Sequence, residues 1–202
     1  MQLDPATLSW DAAYKYLNGA ILPRPIAFVS TVDAEGNLNL APFSFFTAVA
    51  ANPMTICFSV MRRGTDGEKK DTLRNIEATK EFVVNVVSES FANQMNVTAG
   101  EFPQNVSEFE ESGLTPVAST VVKAPRVKES LVNFECKLTE IVHIGDDKGA
   151  GSLVIGQVVQ VHVDDEVHFD GKIDTKKLQP IGRLAGADYV RCTDTFEMMR
   201  KK

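Results

Sequence analysis

The feature that most restricts the fold is a pair of long runs near the C-terminal end, SLVNFECKLTEIVHI (130–144) and SLVIGQVVQVHV (152–163), with little more than GDDKGAG between them. β-Branched and apolar residues recurring in this way read as strands. A connection that short makes the two strands antiparallel neighbours, because a parallel return needs a crossover of a dozen residues or more. The same pattern occurs earlier. IAFVSTV (26–32) reads as a strand, DAEGN (33–37) as a turn with Gly36 suited to positive φ, and Leu38 to Val49 as the returning arm. Thr55 to Val60 and EFVVNVVS (81–88) supply further strands. Helices are fewer. One is expected from Trp10 to Leu17, and one capped by Asp71 or Thr72 runs to Lys80 with Leu73 and Ile76 buried. Short helices are expected around Phe91 to Val97 and Val106 to Glu110, and IDTKKLQPIGRLAGADYVRC reads as turns and a last short strand. Strands joined by hairpins imply a mainly β protein, an antiparallel sheet closing into a barrel with peripheral helices. The strand–helix alternation of a parallel dinucleotide-binding sheet is missing, and so is GxGxxG.

Composition narrows the class. The 202 residues, 44% hydrophobic and 24% charged, suit one domain with a substantial core, read as residues 1–202. A net charge of −6 argues against nucleic acid or an anionic membrane as the main partner, while leaving room for a local basic pocket. Cys57, Cys136 and Cys192 are far apart and form no CxxC, so neither a disulfide framework nor a zinc knuckle is indicated, and a cytoplasmic setting fits. The opening MQLDPATLSW lacks the basic-then-apolar pattern of a signal peptide, and no apolar run reaches membrane-spanning length.

Two stretches carry chemistry. In MRRGTDGEKKDTLRNI, Arg62, Arg63, Lys69 and Lys70 gather before a helix start at Asp71–Thr72. Helix N-termini offer unpaired N–H groups and a partial positive charge, so the stretch suits a phosphate; an ordinary capped helix after a solvated loop has the same look. The second is NLAPFSFFT. Pro42 forfeits a ladder bond, Ser44 and Thr47 bring hydroxyls, and Phe45 and Phe46 offer apolar surface. Such a segment suits the face and edge of a planar heteroaromatic ligand, or a strand turning a barrel corner with its phenylalanines in the core. In HVDDEVH (162–168) the acidic residues follow in a row, as at a solvated turn, so no metal site is expected; His143 also sits beside a turn. GxSxG and Walker signatures are absent.

The segments PRPIAFVSTVDAEGNLNLAPFSFFTAVAANPMTICFSV, KKDTLRNI, EFVVNVV, NFECKLTEIVHIG, GQVVQVHV and GRLAGADYVR together resemble the flavin reductase-like family with an FMN-binding split barrel, nearest its flavoredoxin and oxygenase-associated branch. The resemblance runs from about Leu17 to Arg191. It implies a six-stranded antiparallel Greek-key split barrel, homodimeric, holding FMN without a covalent bond near the subunit interface. Pro42, Phe43, Ser44, Phe45, Phe46 and Thr47 would lie along the isoalloxazine, and Ser59 and Arg62 close to the phosphate. Lys70, Asp71 and Thr72 match the family's phosphate motif, and Arg24 in PRP matches a position near the ligand.

What the resemblance implies for function is electron transfer through FMN. The leading expectation is an NADH- or NADPH-dependent flavin reductase, alone or as the reductase side of an oxygenase system. The alternatives are a flavoredoxin-like carrier fed by a protein donor, and a flavin-binding protein without turnover of its own. The cofactor does the redox chemistry, so no catalytic residue is singled out. The irregular segment between Glu89 and Glu111 is the expected cover for the open face of the flavin.

Overall fold

The structure is a computed structural model that describes residues 1–103 and 106–200. Its principal elements are α1 (Trp10–Ala20), β1 (Ala27–Val32), β2 (Leu38–Phe43), β3 (Phe46–Ala51), β4 (Met54–Met61), α2 (Asp71–Thr79) and β5 (Glu81–Val86). After them come α3 (Ala92–Val97), α4 (Glu108–Ser112), the short β6 (Pro116–Val117) and β7 (Arg126–Val127), and the long β8 (Val132–Ile144) and β9 (Gly151–Val163). The chain ends with β10 (His168–Phe169), β11 (Lys172–Ile173), α5 (Thr175–Leu178), β12 (Ile181–Arg183) and β13 (Tyr189–Arg191).

Seven strands form one antiparallel sheet in the order β2-β1-β5-β8-β9-β4-β3. The expected count was six, and the difference lies at Ser44–Phe45. Leu38 to Ala51 is one run broken there; its first half pairs with β1 and its second with β4. The same run therefore occupies both edges of the sheet, which bends the sheet into a barrel split at the break. Phe45 carbonyl still accepts from Ser59 N–H at 2.8 Å, so the β3–β4 ladder reaches into the gap. Pro42 sits opposite Phe28 just before the break, in an edge strand, where a missing N–H is tolerated.

The barrel interior holds Val29, Phe43, Phe58, Phe82, Val84, Cys136 and Val154, and Leu73 and Ile76 of α2 pack into the same cluster. Phe58 lies 5.4 Å from both Phe43 and Phe82, ring to ring. Gly156 is required there, because a Cβ on it would sit 2.4 Å from the Phe82 ring. β1 is buried on both faces: Ala27 and Val29 point into the barrel, while Ile26 and Phe28 join Leu40, Phe91, Met95 and Phe109 in a second cluster outside it. That explains why Ile26 to Val29 is an unbroken apolar run rather than an alternating one. The second cluster fixes α3 and α4 against β1 and β2, which sets one wall of the site described next.

α2 begins one residue earlier than expected. Lys70 is the N-cap, with extended backbone, Asp71 is the first helical residue, and no side chain caps the helix. Asp71 turns instead to Arg63 (3.0 Å) and Arg74 (3.2 Å).

Candidate functional site

A cleft of about 260 Å³ opens beside β2. Its floor is Asn39, Ala41, Pro42 and Ser44. One end is the start of α2, with Lys70, Asp71 and Thr72, joined by Arg63. Met95, Asn96, residues 98–102 and Glu108 form one wall, and Tyr14, Arg183 and Tyr189 the opposite rim. The segment expected to cover the site thus does border it; residues 104 and 105 lie outside the described residues.

The α2 end is built to attract an anion. The helix N-terminus has no side-chain cap: the N–H groups of Asp71 and Thr72 receive no side-chain oxygen from Lys70, while Leu73 N–H donates to the Lys70 carbonyl at 3.0 Å. Lys70 extends over the Phe43 ring with Nζ 5.8 Å from the centroid and makes no ion pair among the described residues. Burial pushes its ammonium below the ordinary lysine value; the charge of Glu101 opposes this and that of Arg63 adds to it. Thr72, 1% exposed, is locked through Asn39. With its amide oxygen toward Thr72 Oγ1 (2.8 Å) and its nitrogen toward Glu108 Oε1 (3.2 Å), Asn39 satisfies both groups. Glu108 Oε2 also accepts from Leu40 N–H at 3.1 Å, so α4 is pinned to β2 beside the helix start. Burial raises the Glu108 carboxyl above its ordinary value.

The other end is also positive. Arg24 stands behind Ser44 rather than in the cleft, 4% exposed, with its Nε donating to Ser44 Oγ at 3.3 Å. Arg183, whose backbone exchanges two hydrogen bonds with Arg24 (3.0 and 2.8 Å), places its guanidinium 4.5 Å over the Tyr189 ring.

Of the residues singled out in the sequence, Pro42, Ser44, Arg63, Lys70, Asp71 and Thr72 come together in this cleft. The others do not line it within one protomer. Phe43 alternates inward to the barrel core. Phe45 lies under Tyr14 (6.3 Å between rings) and Arg24 (6.0 Å). Phe46 packs against the barrel core from its partly buried position in β3, and Thr47 is exposed, its hydroxyl turned to the Ala48 carbonyl (3.3 Å). Ser59 Oγ sits over Gly151. Arg62 continues the β4–β9 ladder through its N–H to Ala150 carbonyl (2.9 Å) and sends its guanidinium to Gly67 carbonyl (3.1 Å), so that Arg63, one residue on, is the arginine in the cleft. Tyr14, Asn39, Glu108, Arg183 and Tyr189 were not singled out. They are scattered along the chain with no common spacing; Asn39 opens the NLAPFSFFT stretch, Glu108 lies in the segment between Glu89 and Glu111, and Arg183 and Tyr189 fall in GRLAGADYVR, but nothing in the sequence marked them individually.

His162 proves to be a structural partner: its Nε2 lies 2.5 Å from Glu135, a fully buried carboxylate that also accepts from the N–H groups of Thr120, Val121 and Val122. No helix among the described residues is long and apolar enough to cross a membrane.

With this geometry in place, comparison with known proteins is direct. Residues 19–177 match the model of the flavin reductase like domain. An uncharacterised protein of Halalkalibacterium halodurans is 44% identical over 202 residues, spanning 99% of this chain and 96% of its own. The crystal structure of nitrilotriacetate monooxygenase component B from Bacillus cereus superposes with a TM-score of 0.92 at 42% identity, covering 98% of each chain. That of 2-nitrobenzoate 2-nitroreductase from Pseudomonas fluorescens superposes with a TM-score of 0.87 at 31% identity, covering 100% of this chain and 96% of that one.

Proposed function

The chain belongs to the flavin reductase-like family, and from that premise we propose that it is an FMN-dependent oxidoreductase reduced by NADH or NADPH. The observation that carries the cofactor assignment is Lys70, a half-buried cation without an ion-pair partner among the described residues, set at a helix N-terminus with no side-chain cap and facing a cleft. A partly desolvated charge left unpaired is unfavourable, and a phosphate monoester at that point offsets the cost. One such pole suits the single phosphate of FMN. Lys70 and the first N–H groups of α2 hold the phosphate; Thr72, Asn39 and Glu108 keep the helix start in register with β2. Pro42 and Ser44 line the floor along which the planar ring lies, and Phe45 and Arg24 support that floor from behind. Bound FMN supplies hydride and single-electron chemistry; the protein binds, orients and shields.

Assembly and partners follow from the outer surface and the likenesses. We propose a homodimer, because β3 is an exposed sheet edge rich in apolar residues. Phe46, Thr47, Ser59 and Arg62 lie outside the cleft of one protomer, and the dimer is where they meet a ligand if they meet one. Component B of a monooxygenase as a near neighbour supports delivery of reduced flavin to an oxygenase in the cytoplasm.

The test is anaerobic mixing of FMN-loaded protein with NADH or NADPH while the flavin absorbance is followed. Bleaching within seconds to minutes by at least one nucleotide is expected. No bleaching by either, alongside rapid reduction by dithionite or a ferredoxin-type donor, makes the protein an electron carrier instead.

A further inference from the structure

Two arginines stand at the Ser44 end of the cleft with no carboxylate among the described residues paired to them. Arg24 spends its donors on neutral oxygens: Nη1 on the carbonyls of Asn18 and Ile21 (3.0 and 2.9 Å), Nη2 on that of Leu184 (2.9 Å) and Nε on Ser44 Oγ. Arg183 donates to the Gly186 carbonyl and stacks on Tyr189. Neither has an ion pair among the described residues. Burying one guanidinium at this site is unfavourable, and placing a second beside it is more so. Burial first, opposed by Tyr14, and then the charge of Arg183 hold the Arg24 guanidinium below the ordinary arginine value.

Ser44 connects this charge to the cleft. Its oxygen accepts from Arg24, which leaves its own proton to donate into the space it lines. From Asn39, beside Thr72, to Ser44 the chain covers about 15 Å of nearly extended strand. An FMN held by its phosphate at Lys70 is long enough for its ring to reach Ser44 across the same cleft.

Resting on the flavin assignment above, we propose that the ring lies with its pyrimidine edge toward Ser44, and that Arg24 and Arg183 form a second positive pole that stabilises the negative charge this edge gains on two-electron reduction. Hydride from the nicotinamide brings two electrons and one proton; the proton is carried on N5, and one negative charge remains, spread over N1 and the C2 carbonyl. The nicotinamide departs as its oxidised cation. Oxidised flavin has no such charge, so the pole favours the reduced form selectively, and Ser44 carries the effect by donating to the edge where the charge collects.

The test uses FMN-loaded wild type, Arg183→Gln, Arg183→Lys and Arg24→Lys. Affinity for oxidised FMN is measured by fluorescence titration, and the potential of the bound flavin by equilibration with a reference dye. In Arg183→Gln, oxidised FMN is expected to bind within about twofold of wild type while affinity for reduced FMN falls about tenfold, a drop of about 30 mV for a two-electron couple. Arg183→Lys keeps the charge and is expected to recover most of the potential; Arg24→Lys keeps charge but loses the contact to Ser44 and is expected to lie between. Equal losses of oxidised and reduced FMN, or a raised KM for NADH with unchanged potential, overturn the proposal and make the pair a scaffold or a donor-phosphate site. Wild type that binds no FMN overturns the flavin assignment itself and this inference with it.

Discussion

Lys69 and Lys70 are neighbours in the chain and opposite in use. Lys69 gives its ammonium to both oxygens of Glu77 (2.6 and 2.8 Å), while Lys70 enters the cleft with no such partner. The split follows from the helix start, where successive side chains leave in different directions. Replacing Lys70 by Ala is expected to weaken FMN binding by about 1–2 kcal/mol, roughly 5–30-fold, and to leave riboflavin binding nearly unchanged. Thr72→Ala should cost less, because the hydroxyl is tied to Asn39 rather than offered to the ligand. Titration of each variant with both flavins checks this; equal losses for FMN and riboflavin would make Lys70 structural. The basic loop and helix start were legible in the sequence, but the expectation put Arg62 near the phosphate whereas Arg63 lines the cleft, since a shift of one residue along a strand end exchanges faces.

The long β8–β9 hairpin was legible as an element, and so was its turn. Its internal polar residue was not. Glu135 is fully buried in β8, where it collects three backbone N–H groups from the loop at 120–122 and the imidazole of His162. Burial alone would raise its carboxyl, yet these donors outweigh burial and hold it below the ordinary glutamate value of 4.5. A depressed folded value means that the stability it contributes is present above that pH and lost as pH falls through the lower, folded value. Thermal melts from neutral pH downward are expected to show wild type losing stability across that acid range, with Glu135→Gln less stable at neutral pH and flatter in acid. A variant with the wild-type slope would show that other carboxylates control acid unfolding. Asn85 has a similar role in β5: its amide donates to Phe28 carbonyl (3.0 Å) and accepts from Val127 N–H (2.9 Å), so a polar residue in an apolar strand anchors a segment far along the chain.

At the scale of the whole molecule, the run from Leu38 to Ala51 closes the barrel by serving both sheet edges. Its second half then remains on the surface: residues 47–51 are all exposed, with Val49 at 55%. Sheet edges of this kind are ordinarily blunted by charge or proline, and this one carries neither. A second copy covering it is the expected state. Val49→Glu is expected to weaken self-association at least about tenfold, read by sedimentation at micromolar concentration, since a charge buried at an apolar interface is poorly tolerated. Wild type sedimenting as a monomer with FMN bound would contradict the dimer.

The mainly β class, the antiparallel hairpins, the odd proline-broken strand and the cationic helix start are all written in the chain order, because each rests on the geometry of residues adjacent in the chain. The tertiary structure alone decided which of these residues share a cleft. Glu108, Arg183 and Tyr189 come to β2 from distances along the chain that no local period encodes, and Phe43 leaves the site because barrel closure turns it inward. Arg24 shows the difference most clearly. Its identity is plain in PRP, but its burial without an opposing carboxylate exists only once the C-terminal hairpin has folded over it. Electrostatic cost depends on what surrounds a charge in space, and the chain order carries no record of that.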